Sequence, residues 1–97
     1  MKKEKMIVEW MKVKCMDFIK EHRIDQDEDY SFSVMVIDDP EHEFHGNIHL
    51  ELWWRDVEHD IIEEFYNLVL HMINDRTIHH NETNGSGNYD WQIVFEC

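Results

Sequence analysis

Residues 41–53 read Glu-His-Glu-Phe-His-Gly-Asn-Ile-His-Leu-Glu-Leu-Trp (EHEFHGNIHLELW). On a helix, His45 and His49 would stand one turn apart and could share a metal ion. On a strand they could not. The alternation of apolar and polar residues favours the strand, and Gly46-Asn47 opposes a helix. Phe44, Ile48, Leu50 and Leu52 then share one face, and His45, Asn47, His49, Glu51 and Trp53 the other. A strand over 44–53 would separate the Cα atoms of His45 and His49 by ~13 Å. Two imidazoles on one zinc ion each need a nitrogen ~2 Å from the metal. The stretch therefore predicts a strand with a wet face; no metal site and no cofactor are expected.

The preceding segment, Tyr30-Ser31-Phe32-Ser33-Val34-Met35-Val36-Ile37, alternates in the same way, with Tyr30, Phe32, Val34 and Val36 inward. Asp38-Asp39-Pro40-Glu41 between the two segments has turn chemistry, because the aspartates bond nearby backbone and Pro40 stops a ladder. The pair predicts an antiparallel hairpin with one buried face.

Two helices flank it. Over 4–23, Ile7, Val8, Met11, Cys15, Phe18, Ile19 and His22 fall on one core-facing stripe. Met6, Trp10 and Val13 form a shorter stripe nearly opposite, flanked by Lys2, Lys3 and Lys14. One stripe suffices for docking on a sheet, so the second suggests a partner surface, cover from elsewhere in the chain, or a homodimer through the first helix. The second helix is expected to start at Asp56 as N-cap. Its apolar arc comprises Val57, Ile61, Phe65, Leu68 and Met72 with Ile62, Val69 and Ile73. The opposite arc carries Asp56, Asp60, Glu63, Glu64, Asn67 and His71.

Beyond it, Tyr89, Trp91, Ile93 and Phe95 alternate inward, which predicts a strand hairpinned to a short one around 76–81 across a Gly/Asn/Ser tip at 84–88. The expected architecture is a small single α+β domain over 1–97. Its order is α-β-β-α-(β)-β, an antiparallel sheet with two helices packed on one face.

Charge divides this chain sharply. Residues 1–24 hold seven basic groups against four acidic ones, a net of +3. Residues 25–97 hold eighteen carboxylates against Arg55 and Arg76, a net of −16, and no lysine follows Lys20. Phosphate attraction dominates nucleic-acid affinity, so direct nucleic-acid binding is not expected. A basic protein partner, such as a nuclease or a nucleic-acid-binding complex, is the expected one. Its contacts would come from Asp25, Asp27, Glu28 and Asp29, from Asp38, Asp39, Glu41 and Glu43, and from Asp56, Asp60, Glu63 and Glu64.

Catalytic patterns do not occur. There is no GxSxG, P-loop, GxGxxG, HExxH or CxxC, and Cys15 and Cys97 are the only cysteines. The reading is a non-enzymatic, cytoplasmic inhibitor or DNA mimic, of the phage anti-restriction or anti-CRISPR kind. An immunity protein neutralising a nuclease toxin, or a self-associating regulatory module, are the alternatives, with a histidine/carboxylate metal protein behind them. No apolar run approaches the ~20 residues of a membrane span, and Glu9, Lys12 and Lys14 interrupt what would be a signal segment. The sequons at Asn81 and Asn84 are accordingly not expected to carry glycans.

Overall fold

A computed structural model describes residues 2–26, 30–85 and 88–96. Helix α1 (Lys2–Glu21) leads through a short 3-10 turn (Ile24–Gln26) into strands β1 (Tyr30–Val36) and β2 (Ile48–Arg55). Helix α2 (His59–Ile73) and strands β3 (Thr77–Gly85) and β4 (Asn88–Phe95) follow. The sheet order is β1-β2-β4-β3, and every neighbouring pair is antiparallel. The final strand of the chain therefore lies inside the sheet, between β2 and β3.

Register explains the core. Val34 sits opposite Leu50, which sits opposite Ile93; Leu52 pairs Trp91 and Trp54 pairs Tyr89. These residues share one face, and both helices close over it with Met11, Cys15, Phe18 and Ile19 from α1 and Phe65, Val69 and Ile73 from α2. Phe65 occupies the middle. Its ring meets Trp54 at 4.9 Å, Phe18 at 5.3 Å, Phe32 at 6.2 Å and Trp91 at 6.3 Å, all edge to face. Among the described residues no helix covers the opposite face of the sheet, which carries Ser31, Ser33, His49, Glu51, Asn81 and Gln92, as strand alternation requires.

Local chemistry shifts several boundaries. The helix expected over 4–23 runs instead from Lys2 to Glu21, and Arg23 turns left-handed at φ 60° just past its end. Asp56 does not cap α2: it lies before the helix at φ 58°, and Glu58 holds the N-cap position with no side-chain cap bond. The likewise left-handed Asn74 ends that helix, its N–H donating to the Leu70 carbonyl. Strand β2 begins at Ile48 rather than Phe44. Residues 44–47 form turns instead, with Asn47 N–H donating to the Phe44 carbonyl at 3.1 Å, while Gly46 N–H donates across the hairpin to the Ile37 carbonyl at 2.9 Å. Gly46 adopts φ 87°, where a side chain would be strained. Phe44 is therefore not a core residue of β2. Strand β3, expected at 76–81, extends to Gly85, with a register shift between Thr77 and His79.

Two buried acids make stability sensitive to alkali. Burial pushes the Cys15 thiol up to about 12. Burial, helped by the Glu82 carboxylate beside it, holds the Tyr89 phenol well above its ordinary range. Below those ordinary values, ~8.5 for a thiol and ~10 for a phenol, folded and unfolded chains both keep the protons. Above them only the unfolded chain releases them, so stability is fully present below pH ~8.5 and falls as pH rises. Urea melts should show this decline beginning near pH ~9, and Cys15→Ala should delay it to near pH ~10. A stability that stays level to pH ~11 in the parent protein would contradict the assignment.

Candidate binding surface

The carboxylates are placed by the two ends of the sheet. At one end the close of α1, the 3-10 turn and the β2–α2 connection come together around a cleft of about 230 Å³, lined by His22, Arg23, Ile24, Asp56, Val57 and Glu58. Asp25 follows Ile24 in that turn, so it belongs to this end with Asp56. Asp27, Glu28 and Asp29 lie outside the described residues.

Helix α2 rises from the same end. Phe65, Val69 and Ile73 point into the core, so the 100° step per residue turns Asp60, Glu63, Glu64, Asn67 and His71 outward, and all five are exposed. The Glu64 carboxylate also reaches across to the residue just past α1, with Oε2 at 3.7 Å from His22 Nε2. His22 is held for that contact by Nδ1 on the Phe18 carbonyl at 3.0 Å and by stacking on the Phe18 ring at 4.1 Å.

Asp38, Asp39, Glu41 and Glu43 stand at the opposite end, beyond the seven residues of β1. At ~3.3 Å per residue that is a separation of roughly 20 Å from the Asp25 end. The carboxylates expected to meet a partner form two groups, therefore, and not one continuous track. All four are exposed. Asp39 is fixed by its own turn, Oδ1 accepting the Glu41 N–H at 3.0 Å and its carbonyl the His42 N–H at 2.9 Å.

Of the histidines of the opening stretch, His42 and His49 line a common hollow with His79. His45 sits exposed in the turn, and His49 lies on the open face of the sheet opposite Met35 and Val94. The strand spacing expected between them does not apply, because His45 precedes β2. His42 accepts the Phe44 N–H at Nδ1, 2.9 Å away, which leaves the ring proton on Nε2. Phe44 in turn stacks on His79 from β3, with ring centroids 5.4 Å apart. His80 points the other way, toward Tyr66 and Trp91, at 5.7 and 5.9 Å. Among the described residues no three histidine, cysteine or carboxylate side chains converge to hold a metal ion.

Comparison with known protein families, curated proteins and solved structures finds no match for this chain. Its surface must therefore be read from its own residues. Sequence reasoning missed the hollow that the 37–47 loop builds against the open face of the sheet. Phe44 gave no signal of it, because strand alternation assigned that ring to the core.

On α1 the second apolar stripe is uncovered by the other described residues: Met6 is 66%, Trp10 46% and Val13 57% exposed. Among the described residues no helix is long and apolar enough to cross a membrane.

Proposed function

We propose that this chain is a binding protein that occupies the basic groove of a nuclease or other nucleic-acid-handling partner and so keeps nucleic acid out. The supporting observation is the exposed arc of α2. Asp60, Glu63 and Glu64 fall within ~6 Å of helix rise, with Asp56 and Glu58 just before them. B-DNA carries one charge per ~1.7 Å of axis, so the spacing approaches that of a phosphate track. The negative excess over 25–97 adds long-range steering toward a cationic cleft. The acidic group at residues 38–43 serves as a second, separate contact.

Two biological settings supply such a partner: a mobile element that disarms a host nuclease, and an immunity function against a nuclease toxin. Affinity capture from the native host, with partner identification by mass spectrometry, tests the proposal. It requires a basic, nucleic-acid-binding partner released by added salt; a neutral or acidic partner retained in high salt overturns it.

The exposed stripe on α1 favours a second reading, a homodimer joined through Met6, Trp10 and Val13. Trp10→Glu should then reduce the mass in solution, measured by light scattering, from dimer to monomer. A parent protein that is already monomeric at high concentration removes this reading.

A further inference from the structure

We infer that the hollow under the 37–47 loop is a socket for an arginine side chain of the basic partner. The inference rests on the function proposed above and gives that partner's anchor its chemistry. The hollow has a volume of about 500 Å³, within the range of ligand pockets, roughly 300–1,000 Å³. Its floor is the open face of the sheet at Met35, which is 52% exposed, and Val94. Its wall comes from the loop, where Asp38, Asp39, His42 and Phe44 line it, and His79 closes it from β3.

Each part suits one part of arginine. The apolar floor takes the three-carbon stem. Phe44 and His79, stacked 27° from parallel, offer flat rings for a planar cation. Asp38 and Asp39 offer acceptors for the N–H fork. Among the described residues no lysine or arginine lines the hollow, and with His42, His49 and His79 neutral its formal charge is negative; Lys5 and Lys12 of α1 line an adjoining cleft that shares Asp38. An ammonium would reach the carboxylates but has no plane to stack, which separates arginine from lysine. The Asp39 and His42 turn bonds hold the loop before any ligand arrives, lowering the ordering cost of binding.

The test is an amide NMR titration of the intact chain with three probes: N-acetyl-arginine methylamide, its lysine counterpart, and its neutral citrulline counterpart. Arginine should give saturable shifts concentrated at residues 35–44, His79 and Val94. Lysine should bind more weakly, and citrulline should not saturate. Asp38→Asn with Asp39→Asn should weaken the arginine probe roughly three- to tenfold, the scale of two exposed charge contacts. Phe44→Leu keeps an apolar plug in the loop yet should also weaken it, and should erase the preference over lysine.

Citrulline binding as well as arginine overturns the inference, as do an unchanged affinity in the Asp38/Asp39 variant and shifts centred on α2. Because the probes need no partner, the two proposals fail separately. Saturable arginine binding without capture of a basic partner removes the proposed function and leaves the guanidinium site. Capture without probe binding removes the socket alone.

Discussion

A variant with Asp60, Glu63 and Glu64 all changed to lysine should lose affinity for the basic partner proposed above by roughly a hundredfold or more and keep its fold. Close charge pairs across interfaces couple by about 1.5–7 kcal/mol, and three reversals turn three attractions into three repulsions. The fold should survive because all three side chains are exposed on the outer arc of α2, and lysine is a good helix former. Two small costs are expected, namely loss of the Glu64 contact to His22 and of the Asp60 charge in the first helical turn. Each is worth about 1 kcal/mol or less. Circular dichroism reports the fold, and calorimetric titration with the captured partner reports the affinity. Binding within about threefold of the parent would remove α2 from the interface.

Phe65→Ala should have the largest effect on stability, a loss of about 3–5 kcal/mol. This ring is fully buried and touches aromatic rings from α1, β1, β2 and β4 together. Truncation opens a cavity where both helices meet the sheet, and edge-to-face pairs add about 0.5–1.5 kcal/mol each beyond the area buried. Domains of this size are stable by about 5–15 kcal/mol in all. The melting temperature should fall by at least ~12 °C, at ~4–8 °C per kcal/mol. Phe65→Leu, which refills most of the space, should cost about half as much. A drop under ~5 °C for the alanine variant would mean that the ring is not central to the core.

The fold was largely legible because its signals are periodic. Alternation in 30–36 and 89–95 placed Val34, Trp91 and Ile93 on the buried face, and the 3.6-residue pattern placed Met11, Cys15, Phe65 and Val69 there too. Misreadings fall where backbone chemistry overrides the pattern. Asp56 has the side chain of an N-cap, but its left-handed backbone delays the helix to His59. Phe44 continues the alternation of Ile48 and Leu50, yet Gly46 and the turn bonds around it end the strand and turn that ring onto His79.

Charge was less legible than hydrophobicity. The sequence totals the carboxylates correctly but does not say which end of a strand each cluster occupies. Asp25 and Asp38 flank β1 in sequence and are pushed to opposite ends by its extended backbone. A hollow made by a loop against a sheet face has no sequence period at all.

The central claim is that this chain takes the place of nucleic acid on its partner, and competition on the purified partner tests it most directly. Fluorescently labelled duplex or single-stranded nucleic acid, bound to the captured partner, should be displaced by the protein at one-to-one stoichiometry. The displacing concentration should rise steeply with added salt. A stable ternary complex, with the labelled strand still bound at saturating protein, would contradict the account.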